Sequence, residues 1–374
     1  MKLFNLKPES FALDISDPSL KVVKLNQSGN NIRLGSFGEI RLQPGIIKKG
    51  EIKREDDLID AIKKSVAGVE GEKIKTKYVI CSLPEEKAFL QVIKMPKMSD
   101  EDLKSAVIYE SENYIPLPIE SVYLDFQIVS SKEDSQEMEV LIAAFPKRIV
   151  DSYVNCLEKT GLKILSLEVE SLAIARALVE KELTKKPVLL IDLGFSRTGF
   201  VIFSGTSVRF TSSIQVSSNN FTQIIAKNLN LEEQVAEKLK IRHGLDGKIS
   251  FKIKEEKTEK KIEKGMVFEA LIPALTDLVQ QIKKCQDYYQ NHAFNQDLPD
   301  NMVIEKVLLC GGGANLKGLA GLLSIELKIP VVLGNPWINI LPKGDIVSPL
   351  SLEESLSYTT ALGLALKGIQ VEKL

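Results

Sequence analysis

The sequence predicts an α/β fold of two related domains, with a small αββα segment inserted into the first domain. Three observations lead to this prediction. The chain has 374 residues, which is more than a single hydrophobic core usually holds. A strand pattern near the N-terminus is repeated in the second half of the chain. A helix–strand–strand–helix pattern lies between the two copies.

The repeat is centred on two aspartates. Residues 11–16 read FALDIS and residues 189–194 read LLIDLG, so that Asp14 aligns with Asp192. In both copies a second strand pattern follows the aspartate turn, and a Ser-Gly pair precedes a third. Each copy therefore predicts a strand, a tight turn, a strand, a glycine turn and a strand. A repeat over this distance indicates two homologous domains rather than a short-period solenoid.

The residues between the copies predict the inserted subdomain. A buried strand over 77–81 precedes it. Ser99 is expected to cap a helix that begins with acidic residues and runs to about Glu112, where two prolines end it. The rest of the predicted αββα pattern consists of two strands, over 122–129 and 139–145, and a helix over 147–160.

The second half predicts further helices around its own copy of the repeat. Asn230 is expected to cap a helix that runs to Arg242 and stops at Gly244. The charged stretch 252–264 predicts a solvated hairpin or loop. The remaining predicted elements are a helix over 266–292, a buried strand over 307–310 and a final helix over 355–367.

The domain boundaries follow from this pattern. The first domain is expected to comprise 1–83 and 168–186, the insert 84–167, the second domain 187–226 and 298–374, and a subdomain of the second domain 227–297.

Composition and charge exclude several classes of function. The formal net charge of −1 gives no electrostatic basis for binding nucleic acid or anionic lipid. The four cysteines lie far apart in apolar or helical contexts, which predicts reduced core thiols rather than disulfides. The start of the chain lacks the pattern of a signal peptide, and no apolar run approaches the roughly 20 residues of a bilayer span. We therefore expect a cytoplasmic protein that does not insert directly into the membrane.

Asp14 and Asp192 are the strongest candidates for chemistry. Each follows an apolar strand and precedes a tight turn. Two carboxylates facing one another across a cleft would hold a hydrated Mg²⁺, which prefers few direct protein ligands together with water and phosphate oxygens. The backbone N–H groups of the turns at 15–19 and 193–197 could bind phosphates, and Lys21 could reach the same phosphates. An aspartate that simply begins a turn is the competing interpretation.

Two further features could contact a nucleotide. Gly311, Gly312 and Gly313 follow the predicted strand at 307–310, and bare backbone would let a base or ribose approach closely; a tight turn alone gives the same pattern. In the helix after Asn230, Leu231, Val235 and Leu239 predict the packed stripe. Glu237 and Lys240 lie off that stripe, where they contact either adenosine or solvent. No histidine cluster, Walker A motif or nucleophile elbow occurs.

These residues resemble the FtsA/PilM family of the actin-like (ribonuclease H-like) ATPase superfamily over essentially the whole chain. Residues 113–118, which read NYIPLP and lead to Asp125, are similar to the inserted subdomain of that family. The resemblance implies ATP and Mg²⁺ as cofactors, with Asp14 and Asp192 near the metal through water. It assigns nucleotide contacts to Asp14, Ser16, Ser19, Lys21, Asp192, Gly194, Ser196, Thr198, Glu237, Lys240, Gly311, Gly312, Gly313 and Ala314.

The resemblance also implies partners. A groove between the first domain and its insert would receive the cytoplasmic N-terminal tail of a PilN-like inner-membrane protein. The chain would then be peripheral at the inner membrane through that partner, within a type IV pilus or related secretion platform. Pilus assembly ATPases and other copies of the chain are further implied partners.

The chain departs from the family pattern at two turns. Family members usually have glycine where Ser16 stands and a Gly-Gly pair near Ser218 and Asn219. A side chain at position 16 would cost about 1 kcal/mol if the turn were left-handed, which is several-fold in affinity. A catalytic residue is expected near Glu168 and Glu170, but the sequence singles none out, so we expect weak or absent ATPase activity.

Two other functions remain open at this point. A filament-forming, FtsA-like protein would share the fold, although the chain stops at Leu374 soon after its last predicted helix, and a membrane-binding helix would be expected there. A sugar or acetate kinase would also share the two-domain fold. Such an enzyme needs an acceptor site with a catalytic base near the cleft, and the sequence shows no such group.

Overall fold

The computed structural model describes residues 8–29, 31–130, 136–246, 251–255, 258–262, 265–293, 303–341 and 348–370. They divide into two compact units. The described residues of Met1–Lys185, Val201–Thr211 and Asn335–Leu374 form the first unit, and those of Lys186–Phe200 and Ser212–Gly334 form the second. Asp14 therefore belongs to the first unit and Asp192 to the second.

The N-terminal part of the first unit consists of strands, a few helices and the insert. Its elements in chain order are β1 (Ser10–Ile15), β2 (Ser19–Ser28), β3 (Asn31–Arg41), β4 (Ile47–Lys48), β5 (Glu51–Ile52), α1 (Glu55–Ala67), β6 (Glu70–Gly71), β7 (Tyr78–Leu83), β8 (Phe89–Pro96), α2 (Asp100–Ser111), β9 (Val122–Ser130), β10 (Glu137–Pro146), α3 (Lys147–Lys159), β11 (Lys163–Val169) and α4 (Glu170–Leu178).

The rest of the chain repeats the strand pattern and then becomes mostly helical. Its elements are β12 (Thr184–Leu193), β13 (Thr198–Gly205), β14 (Ser207–Ile214), α5 (Ser218–Leu229), α6 (Glu233–His243), β15 (Phe251–Glu255), β16 (Thr258–Ile262), α7 (Met266–Ala293), β17 (Lys306–Cys310), α8 (Leu319–Leu327), β18 (Val331–Leu333), α9 (Leu352–Leu356) and α10 (Thr359–Gln370).

Two sheets have matching strand orders. The first runs β11-β7-β1-β2-β3-β6, and another runs β14-β13-β12-β17-β18. In both, the first three strands of a copy lie side by side and a later strand joins the first one in parallel: β7 beside β1 and β17 beside β12. The predicted duplication is therefore present in the strand order. Asp14 and Asp192 occupy equivalent places at the carboxyl ends of β1 and β12, where α/β sheets bind ligands.

The first unit buries both faces of its sheet. One face packs against α1 and α3, through residues such as Leu13, Ile62 and Tyr153. The other face packs against α10, through residues such as Ala12 and Leu362. Because both faces are covered, the central parallel strands β1 and β7 are nearly continuous buried runs, as is typical of parallel strands covered by helices.

The insert differs from the predicted αββα pattern. It contains a third strand, β8, and its sheet runs β8-β10-β9. Helix α2 packs on one face of this sheet through Leu103 and Val107. Helix α3 instead buries Tyr153 and Leu157 in the core of the first sheet. The predicted cap of α2 is confirmed, because the Ser99 hydroxyl accepts from the Asp102 N–H at 3.2 Å.

Other predictions for the helices and the hairpin had mixed outcomes. Asn230 is the left-handed C-cap of α5, not the N-cap of α6, which begins at Glu233 after an uncapped start. The predicted final helix is two helices, α9 and α10. The charged stretch forms the strands β15 and β16, which pair as a hairpin, while its residues 256, 257, 263 and 264 lie outside the described residues. No helix of the described chain is long and apolar enough to cross a membrane.

Candidate functional site

Asp14 is held at the end of β1 by a neighbouring serine. Asp14 is buried, with only 6% of its surface exposed. Ser82, at the parallel end of β7, donates its hydroxyl to Asp14 Oδ1 at 2.9 Å and accepts from the Ile15 N–H at 2.8 Å. The second bond orients the hydroxyl towards the aspartate. The carboxylate is therefore fixed before any ligand binds.

The turn after Asp14 is closed by its own backbone and by serine. The Ser16 N–H and hydroxyl both donate to the Ser19 carbonyl, at 3.0 and 2.8 Å. Ser16 does not have a positive φ. The cost anticipated for a left-handed serine therefore does not arise in this turn.

Lys21 lies directly opposite Asp14 in the β1–β2 pair. Its ammonium donates to the Ser19 hydroxyl at 3.0 Å and lies 3.4 Å from Glu39. The side chain is 12% exposed. Lys21 thus lies opposite Asp14 and is held there by Ser19 and Glu39.

The connection where a catalytic residue was expected carries two engaged carboxylates. Glu168 accepts two bonds from Arg176, at 2.6 and 2.8 Å, and one from Lys367 at 2.9 Å. Burial raises the pKa of Glu168, but the two cations outweigh it and hold the pKa below its ordinary value. Glu170 accepts from the Glu85 N–H at 3.1 Å. Both acids contribute to structure at this connection.

In the second unit, Asp192 lies against bare backbone. Gly311 follows the parallel strand β17 with φ of +79°, and a Cβ built there would be 2.2 Å from Asp192 Oδ1. A Cβ at Gly313 would meet the Leu193 side chain at 2.6 Å. These two glycines are therefore needed for close packing on the end of β12. Of the three glycines only Gly312 is exposed, and Ala314 after them is buried. Helix α8 begins further along the chain, at Leu319.

The 194–197 turn after Asp192 is closed by its backbone. The Gly194 N–H donates to the Arg197 carbonyl at 3.0 Å, and a Cβ at Gly194 would approach the same oxygen to 2.9 Å. Ser196 is exposed at the tip. Thr198 is fully buried and donates to the Val216 carbonyl at 2.7 Å, so it supports the turn from behind.

Glu237 and Lys240 form an ion pair of 2.7 Å one helical turn apart on α6. Lys240 is 5% exposed, so the interpretation of the pair as solvated is wrong for Lys240, whereas the Glu237 side chain is 42% exposed. The predicted packed stripe also differs, because Ala236 and Leu239 are buried while Leu231 precedes the helix. Burial lowers the pKa of Lys240 below its ordinary value, although Glu237 acts in the opposite direction.

The predicted residues therefore gather in three groups. Asp14, Ser16, Ser19 and Lys21 surround one turn in the first unit. The second unit holds a group at the end of β12 and a pair on α6: Asp192, Gly194, Ser196, Thr198, Gly311, Gly312, Gly313 and Ala314, with Glu237 and Lys240 on the helix.

Sequence reasoning missed three residues that hold these groups in place. Ser82 directly follows the buried strand predicted over 77–81 and lies within the observed β7, and a polar residue there was the available signal. Ser218 and Thr222 are spaced four apart, which places them on one face of α5.

The model of the family described as type IV pilus assembly protein PilM matches residues 12–369. The chain belongs to this family. The solved PilM–PilN type IV pilus biogenesis complex is similar to this PilM-family chain with a TM-score of 0.77 and 26% identity, over 97% of this chain and 99% of that one.

More distant relatives share the actin-like fold. MreB5 of Spiroplasma citri bound to AMPPNP is 13% identical with a TM-score of 0.56, over 99% of this chain and 97% of that one. Cell division protein FtsA of Enterococcus hirae is 23% identical over 94% of this chain and 86% of its own length. The match to FtsA of Pseudomonas aeruginosa is 24% identical over 58% of this chain and spans 50% of that protein. The predicted fold class and family are confirmed.

Proposed function

We propose that this PilM-family chain is an ATP-binding scaffold of type IV pilus assembly, or of a related secretion system. In this proposal it docks the cytoplasmic N-terminal tail of a PilN-like inner-membrane protein and is peripheral to the membrane through that tail. The observation that carries the proposal is the family match over residues 12–369. It is supported by the similar solved chain, whose structure is a PilM–PilN complex.

For the nucleotide, we propose that the chain binds Mg·ATP and that the Asp14 turn and the Asp192 turn each contribute to this binding. Equivalent places in two sheets of matching order support this assignment, as does the fold relative MreB5, which was solved with AMPPNP. The donor set fits Mg²⁺ held mainly by water and phosphate. Within the described residues no group of three or more acidic, cysteine or histidine ligands could hold an ion, and Mg²⁺ commonly uses only one or two carboxylates.

The carboxylates of Asp14 and Asp192 would face the hydrated cation, and Ser196 would meet phosphate oxygens at the exposed tip of its turn. Bound Mg²⁺ would neutralise phosphate charge. We expect hydrolysis to be slow or absent, because Glu168 and Glu170 are both held by protein groups.

The nucleotide site is tested by Asp192→Ala. Removing a carboxylate from the outer shell of the cation should weaken Mg·ATP binding at least about tenfold in calorimetry, which corresponds to about 1.4 kcal/mol. Asp277→Ala is the matched control, because it removes an exposed carboxylate from α7 in the same unit. Equal affinity of both variants and the parent would show that the site is misassigned.

The partner is tested with a synthetic peptide of the N-terminal tail of a PilN-like protein. Calorimetric titration should show saturable binding, and a scrambled peptide of the same composition should show none. Absence of binding both with and without Mg·ATP would contradict the partner assignment while leaving the nucleotide assignment intact.

A filament-forming, FtsA-like role is the second candidate. It is favoured by the match to most of the length of FtsA from Enterococcus hirae. This role requires self-association. Sedimentation with Mg·ATP and lipid vesicles, without any partner peptide, should leave the chain in the supernatant if the scaffold role is correct, whereas pelleting would favour filaments.

A further inference from the structure

The ammonium group of Lys240 lies inside a ring of oxygen atoms. Its Nζ is 2.8 Å from both the carbonyl and the hydroxyl oxygen of Ser218, 2.7 Å from the Thr222 hydroxyl and 2.7 Å from Glu237 Oε2. The Thr222 hydroxyl also donates to Glu237. The residue is 5% exposed. A buried ammonium is stable only when it is paired and hydrogen-bonded, and this ring satisfies both conditions.

The oxygen atoms of the ring occupy the N–H groups of Lys240, so the ammonium has no N–H donor left for a ligand. A protonated lysine carries three N–H donors, and four acceptors surround this one. A nucleotide that contacted Nζ would have to displace a charge-assisted bond from a buried group, and such bonds are the stronger ones in proteins. The Glu237 side chain, by contrast, is 42% exposed.

The ring fixes the first residue of α5, and that residue holds the 194–197 turn. The Ser218 N–H donates to the Gly194 carbonyl at 3.0 Å, and the Asn219 N–H donates to the Phe195 carbonyl at 3.1 Å. Ser217 caps the same helix by accepting from the Asn220 N–H at 3.2 Å. The N-terminal donors of α5 are thus directed at the turn rather than at an external anion. A displacement of Ser218 would release the Gly194 carbonyl.

We propose that Lys240 is a positioning residue for the 194–197 turn, acting through Ser218, and that it does not contact adenosine. The proposed ligand effect rests on the proposed nucleotide binding, whereas the contact between α5 and the turn is a property of the free chain. Lys240 thereby controls the phosphate end of the nucleotide although it lies on the helix to which the sequence assigns the adenosine.

The first test uses the chain without nucleotide. Lys240→Met keeps an unbranched side chain one atom shorter and removes its donors, and Lys238→Met makes the same change at an exposed position of α6. Hydrogen exchange of the Ser218 and Asn219 amides should accelerate about tenfold to a hundredfold in Lys240→Met, because the loss of a charge-assisted hydrogen bond shifts the local opening equilibrium by about this factor. It should be unchanged in Lys238→Met. Unchanged exchange in Lys240→Met would overturn the proposal.

The second test distinguishes an effect on phosphate binding from an effect on adenosine binding. Calorimetry would measure the affinities for ATP, adenosine and inorganic tripolyphosphate, each with Mg²⁺. A positioning role predicts that Lys240→Met weakens ATP and tripolyphosphate by the same factor, about tenfold or more, and leaves adenosine unchanged. The opposite pattern, with adenosine weakened and tripolyphosphate unchanged, would identify Lys240 as an adenosine contact and overturn the proposal.

A milder variant covers the case in which Lys240→Met does not fold. Ser218→Ala removes one acceptor of the ring and keeps the backbone, and it should show the same order of ligands with a smaller loss, about threefold. If Ser218→Ala changes neither amide exchange nor tripolyphosphate binding, the proposal is wrong. If the parent chain binds none of the three ligands, the proposed nucleotide function fails, while the exchange experiment still decides the role of Lys240.

Discussion

Gly311→Ala should destabilise the second unit because two costs coincide at this position. The residue has φ of +79° and ψ of 161°, a region essentially confined to glycine, and holding an L-residue there costs at least about 1–2 kcal/mol. Its new Cβ would be 2.2 Å from Asp192 Oδ1 and 2.7 Å from the Leu193 carbonyl oxygen. Crowding of a well-packed site costs about 1–3 kcal/mol. The expected loss in free energy of unfolding is therefore about 2–5 kcal/mol.

Urea unfolding followed by circular dichroism measures this loss. With a slope of about 3 kcal/mol per M, a loss of 3 kcal/mol lowers the midpoint by about 1 M. The matched control is Gly321→Ala, which makes the same change in α8, where a Cβ meets nothing within 4 Å. This control should gain about 0.5–1 kcal/mol, since alanine is the better helix former. A Gly311→Ala chain within about 0.5 kcal/mol of the parent would refute the close approach of Gly311 to Asp192.

Two further predictions concern buried charge and buried thiols. Glu168→Gln should lose about 3–5 kcal/mol at pH 7, because Arg176 and Lys367 would be left without their carboxylate; the fluorescence of the single tryptophan, Trp337, in the same unit reports the unfolding. Since the folded-state pKa of Glu168 is below its unfolded value, this difference should be constant above about pH 5 and shrink as the pH falls below about 4; a difference that grows with acid would contradict the ion pairing. All four cysteines are buried, and burial raises the pKa of Cys156 and of Cys285 to about 12. A thiol reagent at pH 8 should therefore label no cysteine in the native chain and all four cysteines in guanidinium chloride. Rapid native labelling would place a thiol at the surface.

The sequence predicted the repeated strands because each copy is an apolar run that ends in a charged residue. Such runs are visible without knowledge of their neighbours. The strand β8 escaped because Gln91 and Lys94 interrupt its apolar residues and no turn residue marks its start. The packing of α3 escaped for another reason: amphipathic spacing shows which face of a helix is buried but not which core receives it.

The N-cap role predicted for Asn230 was wrong and the burial of Lys240 was not foreseen, because the chemistry of each residue allows two environments. Asparagine is favoured both as an N-cap and in left-handed C-caps, and only the chain after Asn230 decides between them. Lysine is rarely buried unless it is paired. The pairing of Lys240 involves Ser218 and Thr222 on a different helix, so no spacing within α6 could reveal it.

The two aspartates occupy equivalent places in their sheets but have different surroundings, which the repeat in the sequence does not show. Asp14 accepts a hydrogen bond from Ser82, and Asp192 lies close to the bare backbone of Gly311. A hydrogen bond can be removed by a substitution that adds no volume, whereas close packing on a glycine fails as soon as a side chain is added. The first half of the proposed site is therefore sensitive to loss of a polar group at position 82. The second half is sensitive to gain of volume at position 311, and substitutions at the two positions should not be interchangeable.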